Sequence, residues 1–386
     1  MTTFFPQDQD RFTDADPAIR FTDTDQTWTI SPGIVVSSAQ NFGVVSDFDK
    51  SHLVNEGSIL SAAKGLPAIA LGGNESSIDN ASGARIIGAE TGINLDGPNE
   101  TLANHGAIVG LSGNGIEFDF GASHIALIND GTIAGRDNAV IDSSDSDMST
   151  IANLGVITSR HIGININTDP GVTTVITNSA HGVIQGGYDA IFAANGFSLD
   201  NAGLISGDIT VEPGAAEDDV IVNHGRIAGR VSLDDGNDTF LGRGGSSGLV
   251  DGGGGNDRIV GGHGSDTLDG GPGNDTLTGG RGHDRFVFDS PLDPLRNVDR
   301  VSDFAPRVDK IELGLPGLGL PGILAAAHFH VGAAAADASD RIIYSPGNGF
   351  LFYDPDGRGG HAQIHFATLA PHLDLHNGDF VVELLA

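Results

Sequence analysis

The sequence predicts an all-β chain: a right-handed parallel β-helix, a second coil of finer period behind it, and a β cap. Three observations carry this expectation. Asparagines recur every 22 to 25 residues through the first 230 residues, glycines and aspartates recur every nine residues between Gly252 and Val287, and strand-like runs flank a DPDG turn further on.

The polar opening, MTTFFPQDQDRFTDADP, reads as an N-terminal cap over residues 1–30, with the β-helix over residues 31–232. Aligning LVNEGSI, IDNASGARI, LANHGAI, LINDGTI, IANLGVI, ITNSAHGVI, LDNAGLI and IVNHGRI superposes Asn55, Asn80, Asn104, Asn129, Asn153, Asn178, Asn201 and Asn223. Most read N-x-G; Asn80 and Asn178 carry one and two extra residues before the glycine. Each period also holds another short strand, as in GINLDG, GIEFDF, GININT and AIFAAN. A period of this length with short strands and no helical pattern is one turn of a solenoid. Successive turns of a parallel coil lie about 4.8 Å apart, so an Asn at one corner can bond its amide to the next Asn. Asn also tolerates left-handed turns. The asparagines are therefore expected to form an internal structural ladder, with apolar residues at two-residue spacing filling the core.

Residues 233–288 have a different period. GGGGNDRIV (252–260), GGHGSDTLD (261–269), GGPGNDTLT (270–278) and GGRGHDRFV (279–287) all fit G-G-x-G-x-D-x-apolar-x. Paired glycines allow tight turns and close backbone approach, and the last triplet suits one short strand with its middle residue inward. Those middle residues are Ile259, Leu268, Leu277 and Phe286. This segment resembles the RTX family, whose nonapeptides wind into a parallel β-roll that binds several Ca2+ ions. The resemblance implies two nonapeptides per turn, which stacks Asp257 with Asp275 on one edge and Asp266 with Asp284 on the other. Calcium takes six to eight oxygens, which stacked aspartates and glycine carbonyls can supply. The expected metal-site residues are Gly252, Gly253, Gly255, Asp257, Gly261, Gly262, Gly264, Asp266, Gly270, Gly271, Gly273, Asp275, Gly279, Gly280, Gly282 and Asp284. Upstream, DDGNDTF adds Asp238, nineteen residues before Asp257, whereas Gly248 stands where an aspartate is needed eighteen before Asp266.

Residues 289–386 read as a cap and secretion-signal region. DRFVFDS, DRVSDFAPRVDKIEL and FLFYDPDGRGGHAQIHFATL resemble the C-terminal domain that follows the repeats in serralysin-type proteins. FLFY and AQIHFATL are strand-like around DPDG, a hairpin signature. The ending DFVVELLA is similar to the C-terminal signal read by type I secretion machinery, though it also suits a final strand. The serralysin zinc motif H-E-x-x-H is missing, because the sequence contains no His-Glu pair.

Composition narrows the function. The 386 residues carry 51 acidic against 19 basic side chains, a formal net charge of −32, and no cysteine. Such charge excludes nucleic acid and anionic membrane as obvious partners, and no run of about 18 apolar residues could span a membrane. No basic n-region with an apolar h-region opens the chain. GGSSG (244–248) lacks the strand-turn-helix setting of a nucleophile elbow, and the HFH and HLDLH histidine pairs (His328 and His330, His372 and His376) lack a third ligand. One Trp and three Tyr are few for sugar stacking. Arg160 and His161 are candidates for uronate chemistry, but adjacent residues on a strand point to opposite faces, which makes them a poor pair. The expectation is a secreted, extracellular calcium-binding protein of the cell surface or matrix, with adhesion to a polysaccharide or to itself. The question of enzymatic activity stays open; the alternative reading is a calcium-dependent polysaccharide lyase or epimerase acting on a polyuronate.

Overall fold

The computed structural model describes residues 3–144 and 148–383. Residues 145–147 and, from the expected secretion signal, residues 384–386 lie outside the described residues. The chain divides into two compact units, Met1–Glu212 and Pro213–Ala386, so the division falls twenty residues before the expected 232/233 boundary.

The first unit is a coil with three parallel faces. On the first face strands stack from Thr3–Gln7 through Gln26–Ile30, His52–Asn55 and Ser77–Asn80 to Phe197–Asn201. The second runs from Arg11–Thr13 through Val35–Ser38 and Ser58–Ser61 to Val156–Ser159 and beyond. The third runs from Ile19–Arg20 through Val44–Ser46 and Ile69–Leu71 to Ile162–Ile166 and beyond. Residues 3–30, expected as a cap, keep this register, with Ile19 opposite Val44 and Trp28 opposite Leu53. The cap is thus itself a rung. Exposed polar residues such as Asp8, Gln9 and Asp10 conceal the alternation that buries Ala18, Ile19, Phe21 and Ile30.

Branched aliphatic residues stack inward in columns, one per strand over much of the first two faces and two on strands of the third such as Ile69–Leu71 and Ile93–Leu95. Leu53, Ile78, Leu102, Leu127, Ile151, Ile176 and Leu199 form one such column, and Ile59, Ile86, Ile108, Ile133, Ile157, Ile184 and Ile205 another. Each such side chain stabilises the coil by roughly 1.5–3 kcal/mol when fully buried.

The asparagines form a continuous ladder. Asn55, Asn80, Asn104, Asn129, Asn153 and Asn178 each donate Nδ2 to Oδ1 of the next asparagine, at 2.7–2.9 Å, a run that reaches Asn201. The same Nδ2 groups also reach main-chain carbonyls such as those of Arg85 and Val156. None of these asparagines has positive φ. Left-handed backbone occurs instead at a separate corner, in Asp25, Lys50, Glu75, Asn99 and His124, one per turn. The glycine of N-x-G serves close approach: a Cβ at Gly131 would lie 2.1 Å from the Gly106 carbonyl, and one at Gly155 2.2 Å from that of Gly131.

The second unit stacks two parallel faces. Val220–Asn223, Thr239–Leu241, Arg258–His263, Thr276–Arg281, Asp299–Val301 and Ile364–Thr368 form one. Val231–Ser232, Leu249–Asp251, Thr267–Asp269, Arg285–Phe288, Lys310–Leu313 and Phe380–Val382 form the other. Ile259 lies opposite Leu277 and Leu268 opposite Phe286, a repeat of eighteen residues per turn. The cap adds an antiparallel pairing of Phe350–Tyr353 with Ile342–Ser345 and with Ile364–Thr368. DPDG opens a longer loop over residues 354–363 instead of a tight hairpin turn. Phe380 and Val382, from the expected secretion signal, are buried strand residues. Among the described residues no helix is long and apolar enough to cross a membrane.

Candidate calcium-binding site

Between the short strands of the second unit lie the glycine-aspartate loops. In the register just described, loops one turn apart fall on the same edge, which brings Asp238, Asp257 and Asp275 into one column and Asp266 and Asp284 into another. All five are buried. Oδ1 of Asp257, Asp275 and Asp284 accepts the main-chain N–H of the aspartate one turn earlier: Asp238 N–H to Asp257 at 2.8 Å, Asp257 to Asp275 at 2.8 Å, and Asp266 to Asp284 at 3.0 Å.

The columns are longer than the nonapeptide pattern. Asp219 N–H donates to Asp238 Oδ1 at 2.7 Å, Asp275 N–H to Asp299 at 3.0 Å, and Asp284 N–H to Asp309 at 3.1 Å. These rungs escaped the sequence reading because Asp299 and Asp309 follow their partners by 24 and 25 residues, the extra length lying in loops that leave the strand register intact. The signal was the D-x-apolar triplet itself, as in DRV and DKI, freed from its glycines. A parallel Asn column runs beside one edge, with the N–H of Asn256 on Asn237 Oδ1 and that of Asn274 on Asn256 Oδ1, both 3.1 Å.

The second carboxylate oxygens are what make this a site. Oδ2 of Asp238, Asp257, Asp266 and Asp275 is buried and has no hydrogen-bond partner. Burial is the main force on these groups, pushing Asp238 up to about 8, Asp257 to about 7, and Asp266 and Asp275 to about 6. Burial, with the charge of Asp275 beside it, pushes Asp299 up to about 9. A buried carboxylate with an unsatisfied oxygen needs either a proton or a cation.

The glycines shape room for that oxygen. A Cβ at Gly252, Gly261, Gly270 or Gly279 would lie 2.3–2.7 Å from Oδ2 of Asp257, Asp266, Asp275 or Asp284 respectively. Gly253, Gly262, Gly271 and Gly280 adopt positive φ, as do Gly255, Gly264 and Gly282. Gly273 does not, but a Cβ there would lie 1.5 Å from the Gly255 carbonyl, so successive loops touch through their main chains. On the weaker edge Gly248 offers no side chain, and the column ends at Asp266. Among the described residues no three carboxylate or imidazole side chains converge as a self-sufficient metal cluster. Calcium binding between these loops would therefore have to draw on main-chain carbonyls as well as paired aspartates, the oxygen-rich mixture that calcium favours.

The histidine pairs form no second centre. HLDLH is not helical: His372 has positive φ and His376 precedes the short turn Asn377–Asp379. His328 lies in the turn Ala326–His328 and bonds the Leu318 carbonyl, while His330 sits on the following strand near Asp340. GGSSG lies in a bend between strands with no helix after it.

A parallel coil whose loops stack aspartate on aspartate, with buried oxygens lacking donors, defines a calcium-binding β-roll. Residues 251–286 match the family model of the RTX calcium-binding nonapeptide repeat, in four copies. The chain thus carries RTX calcium-binding repeats within a β-solenoid, and such repeats bind Ca2+. No relative is found among the curated proteins.

Proposed function

We propose that this is a secreted, extracellular protein whose second unit folds on calcium, with Asp238, Asp257, Asp266, Asp275 and Asp284 as the carboxylate ligands and the loop glycines supplying open carbonyls. The observation that carries the reading is the set of buried, partnerless Oδ2 atoms in register along the roll. RTX-repeat proteins are typically secreted. At the low calcium of a cytoplasm, adjacent buried carboxylates repel and the roll is disfavoured; at the millimolar calcium outside, sites of extracellular affinity fill and the loops order. Export as an unordered chain through type I secretion machinery, followed by folding, suits that switch. The machinery reads the secretion-signal region within residues 289–386, which carries the segment DFVVELLA. Outside, the N-terminal coil serves as a surface, matrix or adhesion element that presents a repetitive face to a polysaccharide or to copies of itself.

Equilibrium calcium binding on the full chain tests the assignment. Asp257→Asn and Asp275→Asn should each lower the stoichiometry or weaken the affinity at least tenfold. Unchanged isotherms in both variants would remove these aspartates from the site.

A further inference from the structure

The first unit carries a cluster that the calcium reading leaves unused. Arg160 and His161 occupy the bend between the strands Val156–Ser159 and Ile162–Ile166, so the rule that strand neighbours point to opposite faces does not separate them. One turn earlier in register stand Arg136 and Asp137, where Gly135 pairs with Ser159 and Asn138 with Ile162. One turn later stand Gly187 and Tyr188. The turns therefore stack Arg136 with Arg160, and beside them Asp137, His161 and Tyr188.

The contacts in this cluster are specific. His161 Nδ1 lies 3.4 Å from Asp137 Oδ1, and the His161 and Tyr188 rings stand 5.4 Å apart at 37°. Tyr188 is one of three tyrosines in the chain and is 71% exposed, whereas Tyr344 and Tyr353 are buried. A bulge puts it there: the strand Val183–Ala193 slips register on both sides of Asp189. Bulges of this kind re-aim side chains and recur beside functional sites. A Cβ at Gly187 would lie 1.9 Å from the Arg160 carbonyl, so this turn adds no side chain over the arginines. Arg136 and Arg160 are exposed, and among the described residues neither has a carboxylate partner within 4 Å. Of the acids close by, Asp137 is engaged by His161, and Asp189, next to Tyr188, accepts a hydrogen bond from Thr210 Oγ1 at 2.7 Å.

We propose that Arg136, Arg160, His161 and Tyr188 form a subsite for an acidic polysaccharide, the arginines taking sugar carboxylates and the exposed Tyr188 ring stacking on a sugar face. Guanidinium groups bind carboxylates through charge-assisted, often paired hydrogen bonds, and an aromatic ring supplies the apolar platform. The net charge of −32 does not forbid this, because at physiological salt charges beyond about 8 Å are largely screened. Arg136 and Arg160 stand on successive turns, whose backbones are about 4.8 Å apart, and so place two cations along one edge of the coil. The proposal rests on the extracellular reading above and names its polymer.

Titration of the full chain in 2 mM calcium with polygalacturonate, and with neutral dextran as control, tests it. Binding to polygalacturonate alone is expected, weakening in 0.5 M NaCl. Arg136→Gln with Arg160→Gln should lower affinity about tenfold or more, and Tyr188→Ala should act similarly while Tyr188→Phe retains binding. Circular dichroism melting with and without calcium should match wild type in every variant. Absence of binding by folded wild-type protein, equal binding of dextran, or full binding by both the arginine and Tyr188→Ala variants would overturn the subsite. Melting that ignores calcium would instead contradict the calcium reading, and leaves the subsite to be decided by the titration.

Discussion

At Asp257 the two carboxylate oxygens have different fates. Oδ1 accepts the Asp238 N–H and holds one turn to the next, while Oδ2 is buried without a donor. The roll is thus built to be completed by a positive charge, and without calcium a proton is the substitute. Asp238 and Asp257 are raised by burial to about 8 and 7, well above an unfolded aspartate near 4. A folded-state pKa above the unfolded value gives stability that is present at low pH and lost as pH rises through the folded pKa. Calcium-free protein should therefore melt at higher temperature at pH 5 than at pH 8, and calcium should remove that difference because it needs the ionised form. Melting curves in EGTA and in calcium at both pH values check this; a calcium-free protein more stable at pH 8 would contradict it. Gly270 offers a second residue-scale test. Its missing Cβ leaves the place of Asp275 Oδ2 clear, so Gly270→Ala should weaken calcium binding while the first unit keeps its melting transition.

Among the elements, the Asn ladder and the Asp columns use one device, a side chain that bonds its own copy a turn away. Asn129 accepts from Asn104 and donates to Asn153, so Asn129→Ala orphans both neighbours at the centre of the coil. Each orphaned buried group costs about 1–3 kcal/mol, so the loss should be roughly 2–6 kcal/mol, read by urea denaturation. A loss below about 1 kcal/mol would mean the ladder is incidental to stability. How much of this was legible in the sequence depended on spacing. The ladder and the four nonapeptides were legible because their periods are nearly constant. Asp299 and Asp309 were hidden by loops that lengthen the turn without disturbing the strands. The first rung was hidden by its outward polar residues, and the cluster at His161 by a bulge whose effect on Tyr188 no period announces. The position of the left-handed corner at Lys50, Glu75 and Asn99 was also illegible, since nothing in those residue types demands positive φ.

On the scale of the whole molecule, the acidic excess and the solenoid belong to one account. A chain with 51 acidic and 19 basic residues repels itself when compact, and bound calcium relieves that repulsion where carboxylates are stacked most closely. The coil of the first unit holds its turns with neutral amides and aliphatic columns, whereas the second unit holds them with carboxylates that need a counter-ion. Calcium should therefore act unequally on the two units. The direct test is circular dichroism and thermal melting of the full chain in EGTA against 2 mM calcium. The account predicts a gain of β signal and an added or raised cooperative transition with calcium, reversed by EGTA. The same folded signal and the same melting curve in both conditions would contradict it.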